Sequence, residues 1–187
     1  CQYGKAARVP CLGSLKQAYS PMANSGGFEV SGIDLSLDYT YETANFGTFR
    51  PMLDLTMVNE YLSEEFIGGP MADFAGRNGL PEMRGIFTLA WDKGDFGVYW
   101  QMEYIDSMDE YSNFDVATLS SSSSGNLDSH TLQNFQISWT APSDTTITLG
   151  VKNLEDEDPV IDSSYEWNMY LYDIYGRTTT FMVEHRF

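Results

Sequence analysis

Basic residues are scarce: 10 Lys and Arg stand against 27 Asp and Glu, a formal net charge of −17. A surface of that sign repels phosphate backbones and anionic lipid headgroups, which excludes nucleic acid as a partner and a polybasic patch as a membrane anchor. Cysteine is scarcer still, and the pair Cys1 and Cys11 cannot staple a small disulfide framework. No run approaches the ~18 consecutive apolar residues that a transmembrane helix needs. Because Cys1 opens the chain with no charged and apolar leader before it, a mature or partial protein is expected. The spacings of His-Glu-x-x-His, Gly-x-Ser-x-Gly, a phosphate loop and a dinucleotide fingerprint are all missing. There are only two histidines, and both His130, at a loop end, and His185, on the apolar phase of the last strand, suit structural or interfacial roles better than metal ligation. No enzyme, no cofactor and no metal site are therefore expected.

What is present is apolar and aromatic. In 187 residues with 42% apolar content, enough for one sizeable domain, there are 11 Phe, 12 Tyr and 4 Trp. These residues fall into a period of two. From Ile33 to Glu42, Ile33, Leu35, Leu37, Tyr39 and Tyr41 alternate with Asp34, Ser36, Asp38, Thr40 and Glu42, the pattern of a strand with one apolar and one wet face. The same phase recurs at Phe49–Met57, Met83–Trp91, Phe96–Tyr104, Gln133–Trp139, Ile147–Val151 and Phe181–Phe187, which predicts seven strands.

Short turns at Thr43–Gly47, Asp92–Asp95 and Ala141–Asp144 take turns with long loops at Ser63–Leu80, Asp106–His130 and Asn153–Tyr175. Short connections at one end and long ones at the other are the plan of a membrane β-barrel. Tyr39, Tyr41, Tyr61, Trp91, Trp139 and Phe187 stand near strand ends, where interfacial girdles belong, although ordinary core packing would also use such rings. The polar phase carries Asp34, Asp38, Arg50, Asp54, Glu82, Arg84, Gln101, Glu103, Lys152, Glu184 and Arg186, more charge than a dry core tolerates and suited to a watery lumen. Pro51, Gly85 and Gly97 interrupt the strand pattern.

Four motifs in order carry a likeness: Asn24-Ser25-Gly26-Gly27 before Ser31-Gly32-Ile33-Asp34-Leu35; Pro81-Glu82-Met83-Arg84 leading to Leu89-Ala90-Trp91-Asp92-Lys93-Gly94-Asp95-Phe96; Leu149-Gly150-Val151-Lys152-Asn153-Leu154 with Asp156, Asp158 and Pro159; and Tyr172-Asp173, Gly176-Arg177 and the closing Phe187. Over nearly its whole length the chain resembles the C-terminal barrel portion of outer-membrane TonB-dependent receptors, with Glu155 where that family commonly has phenylalanine. The resemblance implies an all-β fold, an antiparallel transmembrane β-barrel segment of about seven strands from a barrel of about 22. Residues 1–27 would form an extracellular loop and residues 28–187 the barrel strands and loops.

The implied function is active uptake of a nutrient such as a ferric siderophore, cobalamin or an oligosaccharide across the bacterial outer membrane. The implied partners are outer-membrane lipid, the N-terminal plug and remaining strands of the same receptor, the TonB complex acting through the plug, the barrel assembly machinery, and a small-molecule or oligosaccharide ligand. Phe187 would be the assembly signal. An oxidising extracellular setting favours a disulfide between Cys1 and Cys11 over free thiols. In the last long loop the stripe Tyr165, Trp167, Tyr170, Tyr172 and Tyr175 offers faces that stack on sugars or planar chelators, and Tyr165 and Trp167 are the candidates for ligand contact. Glu155–Asp158 with Asp162 reads as a solvated acidic loop before a calcium site, its spacing differing from an EF-hand. Ser120–Ser124 reads as flexible loop. A passive porin, or a small eight-stranded barrel that recruits Leu12–Tyr19, is the alternative.

Overall fold

The alternation predicts a sheet, and a computed structural model, which describes residues 27–64, 68–77, 79–115, 120–162 and 166–186, consists of strands with no helix among these residues. In chain order they are β1 (Phe28–Asp38), β2 (Tyr41–Thr43), β3 (Gly47–Glu64), β4 (Met71–Asp73), β5 (Met83–Lys93), β6 (Phe96–Ile105), β7 (Met108–Asp115), β8 (Ser120–Leu127), β9 (His130–Ala141), β10 (Thr145–Lys152) and β11 (Thr178–His185). The main sheet runs β1-β3-β5-β6-β9-β10-β11, every pair antiparallel, with β2 and β4 attached to β3. These seven path strands are the seven that the period of two predicts. The sheet is open, with β1 and β11 at its edges, so the described residues by themselves do not form a closed barrel.

Register turns the alternation into continuous rows. Tyr41, Phe49, Trp91, Val98, Ile137, Leu149 and Phe181 pair one to the next across all seven strand positions. Below them run Pro51, Leu89, Trp100, Phe135 and Val151, then Leu37, Leu53, Phe87 and Met102. The opposite face carries cross-strand polar pairs: Thr56 Oγ1 donates to Asp34 Oδ1 at 2.7 Å and Ser36 Oγ to Asp54 Oδ1 at 2.6 Å. On the same face Asn134 Nδ2 donates to Gln101 Oε1 at 3.1 Å, and Arg50 pairs with Asp92. Met52, Ile86, Ala90, Ile105, Leu132 and Met182 are among the apolar members of this otherwise polar phase.

The predicted blemishes have specific consequences. The strand expected to run unbroken from Ile33 to Glu42 parts between β1 and β2, opposite Pro51. Tyr39 N donates to Pro51 O at 3.1 Å, and proline has no N–H with which to return the bond. The register is kept across the gap, since Asp38 faces Met52 and Tyr41 faces Phe49. Farther along, Ser31 faces Glu60 while Gly32 faces Val58, so Asn59 is the extra residue of a bulge. At Gly97 a Cβ would stand 2.7 Å from Ser138 Oγ, and the missing side chain is what lets β6 and β9 meet there.

The short turns use the chemistry expected of them. Gly94 takes φ 58° in the two-residue link between β5 and β6, and Asp144 takes φ 54° after Pro142 in the link between β9 and β10. In the first turn Thr43 Oγ1 accepts from Phe46 N at 2.9 Å and donates to Gly47 O at 2.7 Å. Gly47 has φ 86°, and a Cβ there would meet Asp92 O at 2.2 Å. Gly47→Ala is therefore expected to destabilise the folded protein by about 1–3 kcal/mol in a urea titration, whereas Ala44→Gly in the same turn should change little.

The long connections differ from expectation in two places: within the loop expected at Ser63–Leu80, β3 continues to Glu64 and pairs with the short β4, and the second difference lies in the Asp106–His130 connection. The segment that includes Ser120–Ser124, expected as a flexible loop, forms strand β8 and pairs with β7 in a separate two-stranded ribbon with two register shifts. A ribbon is held by main-chain hydrogen bonds, which serine supplies as well as any residue, so composition alone did not reveal it. Residues buried on all sides are few among those described: Ile105, Met108, Leu127 and Tyr172, flanked by Val160 and Leu171, form the single buried apolar cluster, and it lies at the long-loop end of the sheet.

Candidate functional site

The last long connection, from Asn153 to Arg177, folds back over the polar face and encloses a cavity there. Its neck is built by asparagine and aspartate chemistry. Asn153, buried and at φ 51°, ends β10; its N–H donates to Asn134 Oδ1 at 3.1 Å. Its carboxamide clamps Glu157 in both directions, Nδ2 to Glu157 O and Glu157 N to Oδ1, each at 2.8 Å. Asp156, at φ 63°, accepts from Arg177 N at 2.6 Å through Oδ1 and so ties the start of the loop to its end. Gln133 Nε2 donates to Glu155 Oε1 at 3.1 Å, which gives this glutamate a partner on β9.

The head of the loop is held by Tyr172. Its ring lies 5.1 Å, centroid to centroid, from His130 at an interplanar angle of 74°, an edge-on contact, within the cluster of Ile105, Met108 and Leu127. Ile105 and His130 face each other on the polar phase of β6 and β9, so the loop lies on the face that carries the charged residues. Neither Tyr172 Oη nor His130 Nε2 has a hydrogen-bond partner among the described residues. Burial pushes the Tyr172 phenol above its ordinary value, because the charged phenolate would be poorly solvated there.

Between loop and sheet lies a cavity of about 690 Å³. Gln101 and Glu103 of β6, Asn134 of β9 and Lys152 of β10 form its floor; Tyr170 and Tyr175 stand at its loop side. Asn134 is the organising residue of the floor. It donates to Gln101 at 3.1 Å and to Glu103 Oε1 at 3.4 Å while accepting from Asn153, so strand and loop positions are fixed together. Lys152 makes no ion pair among the described residues. A second cavity of about 300 Å³ shares Gln101, Asn134 and Lys152 with the first and continues along the face past Tyr99, Gln136 and Thr180.

Of the two predicted ligand-contact residues, Trp167 is half exposed and lies in a neighbouring recess of about 340 Å³, bounded also by Asp162, Glu166 and Tyr170. Tyr165 lies outside the described residues, as do Cys1, Cys11 and Phe187. Within the aromatic stripe it is Tyr170 and Tyr175 that line the main cavity, and Tyr172 that is buried as an anchor. Gln101, Glu103 and Lys152, assigned inward by the polar phase alone, do come together at one site. The acidic run serves as loop scaffold at Asp156 and Glu157, and no group of three or more His, Cys, Asp or Glu side chains is close enough to hold a metal among the described residues. No protein-family model, curated protein or solved structure matches the chain.

Proposed function

We propose that this chain is the C-terminal wall of a TonB-dependent outer-membrane receptor, an importer whose ligand enters through the cavity between the last long loop and the polar face. The observation that carries this is the exposed apolar face. Ile33, Leu35, Leu37, Tyr39, Tyr41, Ile137, Trp139, Leu149 and Phe181 all stand open on one side of the sheet, far beyond the apolar patch a soluble monomer usually exposes. The nine residues from Ile33 to Tyr41 meet the lower end of the roughly 9–11 that a tilted strand needs to cross a bilayer. The small buried cluster points the same way, because a water-soluble sheet of this size would bury one face against a second layer.

On this reading lipid covers the apolar rows, and the polar face lines the lumen together with strands and a plug contributed by the rest of the receptor. Transport is conformational: ligand bound above the lumen is released inward when the TonB complex rearranges the plug. The three short turns face the periplasm, and the β7–β8 ribbon and the loop of residues 153–177 face outside. On intact cells, cysteine placed at Asn126 on the ribbon should react with an impermeant maleimide, whereas cysteine at Lys93 should react only after the outer membrane is opened. Labelling of Lys93→Cys alone would invert the topology, and equal labelling of both on intact cells would remove the membrane from the argument. A gene lacking a plug domain ahead of these strands would instead make the protein a passive porin.

A further inference from the structure

We infer that the ligand is an uncharged, polyhydroxylated molecule of the oligosaccharide class, bound between Tyr170 and Tyr175 of the loop and the carboxamide-lined floor of the sheet. The inference rests on the transporter reading and adds the chemistry of what is carried. The two cavities that share Gln101, Asn134 and Lys152 run in series along the polar face, so the site is a track and not a single cup. Beside the charged Glu103 and Lys152, its floor offers neutral hydrogen-bonding groups: Gln101, Asn134, Gln136, Tyr99 and Thr180 carry amides and hydroxyls that both donate and accept. Such groups match hydroxyls, which also do both, and are wasted on a ligand that only accepts.

The charged groups at the track narrow the class further. Glu103 and Asp173 face one cation, Lys152, in a chain of net charge −17. A polyanionic chelate would need a cluster of Arg or Lys, preferably with bidentate guanidinium contacts, and no arginine lines the cavity among the described residues. Leu132, Met169, Leu171 and the tyrosine rings supply apolar surface, but a purely apolar ligand would leave the carboxamides and charged groups of the floor without partners. The rings complete the match. Tyr170 and Tyr175 are 86% and 72% exposed beside the cavity, largely uncovered by the other described residues. Tyrosine faces left open at a polar cleft suit the C–H face of a pyranose, with hydroxyls directed at the carboxamides.

The test uses the full receptor purified from outer membranes in detergent and titrated calorimetrically with two sets of probes. One is a panel of neutral linear glucan, xylan, mannan and galactan fragments of two to six rings, in α and β linkages. The other comprises a neutral ferric hydroxamate and an anionic ferric catecholate. At least one oligosaccharide should bind and both ferric complexes should not. Tyr175→Ala and Gln101→Ala should each weaken that binding tenfold or more, and Phe46→Ala, at the short-turn end, should leave it unchanged. Binding of a ferric complex, binding of no oligosaccharide, or oligosaccharide binding indifferent to Tyr175→Ala and Gln101→Ala would each overturn the assignment. Any of these, in a receptor that is inserted and heat-modifiable, would leave the transporter reading standing. A protein found outside the membrane would overturn that reading first.

Discussion

Leu53→Arg should, if lipid covers the apolar rows as proposed, cost about 2–4 kcal/mol in a urea titration of the protein refolded into phospholipid bilayers, because it would place a guanidinium near the middle of that apolar face. Leu53 pairs with Leu37 on one side and Phe87 on the other, and the row continues to Met102. Two comparisons make the result diagnostic. Thr56→Arg lies on the opposite face beside Asp34, which already accepts a 2.7 Å hydrogen bond from Thr56, and the new charge would sit in water next to a carboxylate. Its cost should stay within about 0.5 kcal/mol, as for most surface changes. Phe96→Arg lies on the apolar phase but at the short-turn end, in the row with Trp139, and should cost about 0–1 kcal/mol because interfacial arginine reaches headgroups and water. Equal penalties at Leu53 and Phe96 would point to a protein layer over this face in place of lipid.

The same rows show how much could be read from sequence. Period two placed Tyr41, Phe49, Trp91, Val98, Ile137, Leu149 and Phe181 on one face, because side chains alternate in any strand whatever surrounds the sheet. The short turns fixed three neighbour pairs, β2–β3, β5–β6 and β9–β10, since a two- or three-residue link permits only an antiparallel hairpin, whereas β3–β5, β6–β9 and β10–β11 pair across long connections that carry no such constraint. The floor of the cavity was legible for the same reason, as Gln101, Glu103 and Lys152 all lie on the polar phase. The β7–β8 ribbon was not, because its pairing is carried by backbone groups that every residue has. Nor did the loop reveal which of its rings would dock. Trp167, Tyr170, Tyr172 and Tyr175 are similar in chemistry and follow no period, and the choice of Tyr172 depends on where the loop neck at Asn153 and Asp156 releases the chain over His130. Long-range geometry of that kind has no local signature.

That choice gives the second large effect. Tyr172→Ala should detach the loop head, because it removes the ring that fills the space among Ile105, Met108, Leu127 and His130; truncating a buried aromatic costs about 3–5 kcal/mol. The loss should be local, since the strands are held by their own ladders. Amide hydrogen exchange in residues 166–177 should accelerate strongly while β5 and β6 keep their protection. Tyr172→Phe should do the reverse. The buried hydroxyl has no hydrogen-bond partner among the described residues, so its removal eliminates a desolvation cost and leaves the ring contact with His130 intact, and the loop should be as well protected as in the wild type or better. The two variants also separate in alkali. The Tyr172 phenol titrates above its ordinary value of 10.0 when docked, so its contribution is fully present below pH 10 and is lost as the pH rises through the raised value. Loop protection should therefore fall in alkali in the wild type more than in Tyr172→Phe, which has no proton to lose at that position. Exchange in residues 166–177 that is unchanged by Tyr172→Ala would mean that the neck at Asn153 and Asp156 alone holds the loop over the cavity.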